Sequence, residues 1–92
     1  MIIVSYDISN NKKRNSFSKY LLKFGYRLQY SVIAIDNSDR LLNVVKNDIE
    51  NKFSKTFDKS DSVIIFKLSQ TCEIIKYGYA QNDNDDLLNN KW

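Results

Sequence analysis

Polar and apolar residues alternate through the first strand-like run. In residues 2–8, Ile2, Val4, Tyr6 and Ile8 point one way, and Ile3, Ser5 and Asp7 point the other. The period then changes. Phe17, Tyr20, Leu21 and Phe24 recur at helical offsets, which predicts an amphipathic helix over 11–24. Asn10 or Asn11 suits its N-cap, and Gly25 stands where a left-handed terminator belongs. Residues 27–35 are rich in strand formers. Read as one strand, the run puts Leu28, Tyr30, Val32 and Ala34 on one face and Arg27, Gln29 and Ser31 on the other, and a bend within 27–36 would instead divide it into two short strands. Ser38 suits the cap of a second helix over 39–54, with Leu41, Leu42, Val45, Ile49 and Phe53 inward. Residues 61–68 read as a buried strand and 73–80 as another. The Asn/Asp cluster at 82–86 marks a turn before Leu87-Leu88, a short last strand.

This order predicts an α+β sandwich, with two helices on one face of an antiparallel sheet. Ninety-two residues make one small domain, 1–92, without a linker or internal repeat. A chain of this size buries roughly 60–65% of its unfolded surface, so a further interface would help it. The helix-free face would expose Ser5, Asp7, Gln29 and Ser31 among apolar neighbours such as Ile3 and Ile33. A half-apolar open sheet of that kind calls for a partner. A second copy of the chain is the expected one, with residues 81–92 as a dimerisation segment and Leu87-Leu88 as an exchanged or packed edge strand.

Charge adds a direction. The formal net charge is only +3, yet residues 1–59 hold eleven basic and six acidic side chains, against three and five in residues 60–92. Asp7 is the only acid before Asp36, and Lys12, Lys13, Arg14, Lys19, Lys23 and Arg27 follow it. Cations at a helix N-terminus oppose the macrodipole, a penalty that a bound phosphate reverses. Lys12, Lys13, Arg14, Lys19 and Arg27 are therefore candidate nucleic-acid contacts, although a solvated helix face is the common fate of lysines. Asp7 either holds a metal beside the polyanion, or caps the next helix or pairs with a lysine. Absences narrow the chemistry further. Without histidine there is no imidazole base, and one cysteine, Cys72, allows neither an intrachain disulfide nor a cysteine-rich zinc site. A reduced, cytoplasmic setting without a signal peptide or a membrane span is expected. Carboxylate and metal-activated water are the remaining catalytic tools, with Tyr or Lys as a distant alternative.

These residues resemble a known family, the CRISPR-associated Cas-two proteins, which are small ferredoxin-like homodimers. The landmarks are Tyr6-Asp7-Ile8 closing the first strand, Arg14 near the first helix start, Gly25 followed by Arg27-Leu28-Gln29-Tyr30-Ser31-Val32, and Asp61-Ser62-Val63 opening a later strand. The resemblance implies a homodimer that partners the CRISPR integrase in spacer acquisition and supports duplex DNA or RNA. It also implies a metal-dependent endonuclease or endoribonuclease centre at Asp7, with Mg2+, or Mn2+ in its place. In this reading Ser5, Gln29, Ser31, Leu87 and Leu88 belong to the dimer face. The reading favours binding and scaffolding over turnover. Where the family usually carries an aromatic residue and a glutamate after Ser-Val, this chain has Ile33-Ala34. Two alternatives share the layout: an RNA-binding module of RRM type, for which Lys76-Tyr77-Gly78-Tyr79-Ala80 would be the aromatic strand, and a toxin ribonuclease.

Overall fold

A computed structural model of the chain describes residues 1–78. Alternation produces β1, Ile2–Asp7. The next element, α1, runs Asn11–Leu22. Its cap is Asn10, whose side chain accepts from the Lys13 N–H at 3.0 Å. Asp7 therefore does not cap this helix. A hairpin follows, β2 (Gly25–Gln29) and β3 (Val32–Ile35). Ser38 caps α2, Asp39–Asp48, by accepting from the Leu41 N–H. That helix continues through a π turn, Ile49–Phe53, and a 3-10 turn, Ser54–Thr56. The last described strand is β4, Ser62–Lys67.

The strands form one antiparallel sheet in the order β2-β3-β1-β4. Ile2, Val4, Tyr6 and Ile8 face the helices and join Phe17, Leu21, Ile33, Ile35, Val45 and Phe53 in the core. Leu41, Leu42 and Ile49 pack against that core, as the helical spacing requires. Phe17 lies at its centre, edge-on to Tyr6 and Phe53 at ring separations of 5.3 and 5.0 Å. The fold is the expected α+β ferredoxin-like sandwich.

Four local expectations change. First, residues 27–35 are a hairpin and not one strand. The turn at Tyr30-Ser31 has none of the Gly or Asn signals of a tight hairpin loop. Second, the faces of this segment are rearranged. Arg27 pairs with Ile33 and Gln29 with Val32, so two steps along β2 match one step along β3. This bulge resets the alternation. Arg27 and Ile33 face the helices, while Val32 and Ala34 lie on the open face, opposite Ser5 and Ile3. Ile33, expected among the open-face neighbours, is a core residue. Third, Gly25 is not a left-handed terminator, since the only glycine with positive φ is Gly78. Gly25 begins β2, and a Cβ there would lie 1.8 Å from the Ala34 carbonyl oxygen and 2.7 Å from the Ile35 Cα. Close backbone approach across the hairpin requires it. Fourth, residues 73–78 form no strand, so Lys76, Tyr77 and Gly78 are not on a sheet as an RRM-type motif needs. Tyr79, Ala80, the segment 81–92 and the Leu87-Leu88 strand lie outside the described residues. Among the described residues, no helix is long and apolar enough to cross a membrane.

Candidate functional site

Asp7 is the last residue of β1 and projects, with Ser5 and Ile3, on the helix-free face. It is exposed and pairs across the sheet with Ser62 of β4. On the other side of β1, the Tyr6 N–H donates to the Ser31 carbonyl at 3.0 Å. That bond brings the β2–β3 turn alongside the strand end. A cleft of about 440 Å3 opens there, lined by Ser5, Tyr6, Asp7, Ile8, Arg14, Tyr30, Ser31, Ser62 and Ile64. Among the described residues that line it, Asp7 is the only carboxylate and Arg14 the only cation. Among the described residues, no hydrogen bond or ion pair engages the Asp7 carboxylate.

Arg14 is built into the cleft wall. Its Nη1 donates to the Ile8 carbonyl at 3.1 Å and to the Ser9 carbonyl at 3.5 Å, and its Nη2 donates to the Asn11 side chain. The guanidinium lies 5.6 Å from the centre of the Tyr30 ring, a cation–π contact. Its partners are all neutral, so the full positive charge persists beside Asp7. The loop is fastened a second time by Asp61. That carboxylate accepts from the Asp58 N–H at 2.8 Å, the Ser9 N–H at 3.0 Å and the Ser9 hydroxyl at 3.2 Å. The Asp58 N–H first, then that of Ser9, hold its pKa below the usual carboxylate range.

The other basic residues separate. Lys12 and Lys19 are exposed on α1. Lys13 turns toward the loop before β4, where its ammonium donates to the Thr56 carbonyl and lies 3.9 Å from Asp58. Arg27 is the clearest correction, because it is only 9% exposed. Its guanidinium donates to the Tyr30 carbonyl at 2.5 Å, to the Tyr6 hydroxyl at 3.4 Å and to the Ser18 hydroxyl at 3.3 Å. It faces inward because the bulge reverses the alternation, and it pins the turn from beneath instead of reaching for phosphate. Of the expected open-face residues, Ser5 and Gln29 lie on that face, and Ser31 sits in the turn at the cleft. The sequence reading missed the contributions of Ser62 and Asp61. Their signal was the Asp61-Ser62-Val63 strand start, read as a landmark and not as part of a site.

Among the described residues, no group of three or more acidic, cysteine or histidine side chains can enclose a metal ion. Mg2+ prefers six oxygens at about 2.0–2.1 Å but commonly keeps several waters, with one or two carboxylates. Exposed Asp7, flanked by the Ser5 and Ser62 side chains, fits that chemistry as the anchoring ligand of a largely hydrated ion.

Beyond the cleft, the open face is apolar, and none of the described elements covers it. Ile64 is 54% exposed and Phe66 45%, and exposed Tyr26 lies at the other end of the sheet, opposite Ala34. These residues continue the surface that carries Ser5 and Asp7.

Residues 1–74 match the family model described as CRISPR associated protein Cas2. The chain is 30% identical over 87 residues to the CRISPR-associated endoribonuclease Cas2 3 of Chloroflexus aurantiacus, covering 90% of this chain and 88% of the relative. A hypothetical protein of Thermus thermophilus superposes with a TM-score of 0.64 at 25% identity, over 85% of this chain and 92% of that one. Streptococcus pyogenes Cas2 superposes with a TM-score of 0.61 at 21% identity, over 82% and 98%, which speaks for the fold. The family match takes in the whole sheet, both helices and all nine residues that line the cleft, and the chain therefore belongs to the CRISPR-associated Cas2 family.

Proposed function

We propose that this chain acts as a homodimer in CRISPR adaptation. In this reading the dimer holds duplex nucleic acid, bridges the CRISPR integrase during spacer acquisition, and carries a weak Mg2+-dependent phosphodiester hydrolase centre at Asp7. The observation that carries the reading is the cleft at the end of β1, where a carboxylate without a partner among the described residues shares the cleft with a fixed guanidinium on the helix-free sheet face. The relative from Chloroflexus aurantiacus is named an endoribonuclease, which supports nucleic acid as the substrate class.

Each residue has a distinct task. Arg14 presents positive charge to a phosphate, and its bonds to the Ile8 and Ser9 carbonyls hold that charge in place. Exposed Lys12 and Lys19 extend the attraction along α1 without base readout. Asp7 would hold the metal, Mg2+ or Mn2+, with Ser5 and Ser62 beside it. A bound divalent ion supplies Lewis acidity at the scissile phosphate and lowers the pKa of water. The dimer would join two copies through the face bearing Ile64, Phe66 and Tyr26, with residues 81–92, including Leu87 and Leu88, reaching toward the partner. A twofold axis across that face would bring two Asp7 side chains toward one another and double the carboxylates available to a metal. A single free cysteine suits a reducing, cytoplasmic setting.

Co-purification with the CRISPR integrase, followed by a spacer-integration assay, tests the reading. The chain is expected to co-purify in fixed stoichiometry and to be required for integration. Integration that proceeds equally well without it would contradict the proposal.

A further inference from the structure

Tyr30 stands out among the residues for which the proposed hydrolysis has no task. It is 58% exposed, yet it lines the same cleft as Asp7. A large aromatic ring at a hairpin turn is ordinarily mobile, because short turns have little around them. Here the backbone beneath the ring is held. The Tyr30 carbonyl accepts from buried Arg27 at 2.5 Å and from the Tyr6 hydroxyl at 3.4 Å. Arg27 is an always-charged group with only neutral oxygens as partners, a costly thing to bury for the sake of one turn. The neighbouring residue is held as well, through the bond from the Tyr6 N–H to the Ser31 carbonyl. The ring itself packs against the Arg14 guanidinium at 5.6 Å and is otherwise largely open to solvent.

We propose that Tyr30 is a stacking platform for an unpaired nucleobase next to the strand-end carboxylate, so that the cleft selects single-stranded or frayed nucleic acid at the point of attack. Every base has a π face, so such a platform binds without sequence preference. Paired bases inside a duplex cannot offer that face. Phosphate attraction by Lys12, Lys19 and Arg14 acts on single and double strands alike, so the platform is what separates the two. This inference rests on the nucleic-acid reading above, and its test is independent of cleavage.

The experiment compares the full chain with Tyr30→Ala, Tyr30→Leu and Tyr30→Phe. Affinity is measured for a single-stranded oligonucleotide and for the duplex of the same sequence, at two salt concentrations. A 2-aminopurine in the single strand reports stacking by fluorescence quenching. Tyr30→Ala and Tyr30→Leu should weaken single-strand binding by about 5- to 150-fold, the range that one stacked base contributes. Both should abolish the quenching and leave duplex affinity and the salt slopes unchanged. Tyr30→Phe should behave as wild type. Unchanged single-strand affinity in Tyr30→Ala would overturn the inference, and so would an equal loss on single strand and duplex. Tyr30→Leu preserves apolar bulk against Arg14, so wild-type behaviour in that variant would reduce Tyr30 to a packing residue and also overturn it. If no oligonucleotide binds even the wild type, the nucleic-acid reading itself falls, an outcome distinct from these.

Discussion

Replacing Gly25 by alanine adds one methyl group where the hairpin has no room. The new Cβ would sit 1.8 Å from the Ala34 carbonyl oxygen, 2.7 Å from the Ile35 Cα and 2.8 Å from the Ala34 carbonyl carbon. All three are backbone atoms, so no side-chain rotation relieves the clash. Ordinary contact begins near 3.4 Å, so the strands must part by about 1.6 Å (3.4 minus 1.8) at this point. Ladder hydrogen bonds near 2.9 Å do not survive that opening. Among the described residues β2 is an edge strand paired only with β3, so no described strand on its far side resists the movement. Overpacking costs about 1–3 kcal/mol, and each lost ladder bond about 1 kcal/mol more. A total of about 2–4 kcal/mol, at about 4–8 °C per kcal/mol for a domain of this length, lowers the melting temperature by roughly 10–30 °C. Thermal unfolding followed by circular dichroism measures it. Gly78→Ala is the control, because Gly78 has positive φ but nothing within 4 Å of its ideal Cβ. It should cost only about 1 kcal/mol. A Gly25→Ala protein melting within a few degrees of wild type would refute the close-approach argument.

Asp61 makes stability pH-dependent in a defined direction. Its folded pKa is depressed, chiefly by the Asp58 and Ser9 N–H bonds, so its contribution is complete above the ordinary carboxylate range and is lost as pH falls through the depressed value. The melting-temperature gap between wild type and Asp61→Asn should be open at neutral pH and close in strong acid, and a gap independent of pH would contradict this. Ile64→Lys with Phe66→Lys places two charges on the apolar helix-free face, so light scattering should show a dimer for the wild type and monomers for this variant, with secondary structure retained. A dimer persisting in that variant would move the interface elsewhere. Lys12→Ala with Lys19→Ala removes the two exposed cations of α1 named as phosphate contacts and should flatten the slope of log affinity for duplex DNA against log salt by up to about 1.8, at about 0.9 per phosphate contact. An unchanged slope would exclude both side chains from the binding surface.

How much of this was legible in the sequence depends on period. The helices were readable because Phe17, Tyr20 and Leu21, and then Leu41, Leu42, Val45, Ile49 and Phe53, recur with a spacing that only a helix turns to one side. β1 was readable from its two-faced pattern and β4 from the apolar run at 63–66, although that run is not the buried strand it suggested, because Ile64 and Phe66 stand exposed on the open face. The hairpin was not, because its turn is Tyr30-Ser31 and its bulge falls among residues that all favour strands. The two-residue turn put Val32 and Ala34 on the open face with Gln29, and the one extra residue of the bulge put Arg27 on the face opposite Gln29. That single phase change turned Arg27 from a surface cation into a buried anchor. The position of Asp7, exposed at the end of β1 on the helix-free face, is the one the alternation of β1 assigns to it. The cleft around it was not foreseen, because Arg14, Tyr30 and Ser62 come from three separate elements and no local spacing joins them.

The most direct test of the account is cleavage by Asp7→Asn, with nuclease activity on single-stranded RNA and duplex DNA assayed in Mg2+ and in Mn2+. The substitution is nearly isosteric and touches no hydrogen bond or ion pair among the described residues, so folding, dimerisation and duplex affinity should stay at wild-type values. If the cleft is the hydrolytic centre, cleavage should fall by orders of magnitude, because the neutral amide is a poor ligand for a hard divalent ion. Undiminished cleavage by a folded, dimeric Asp7→Asn protein would contradict the assignment of chemistry to this cleft.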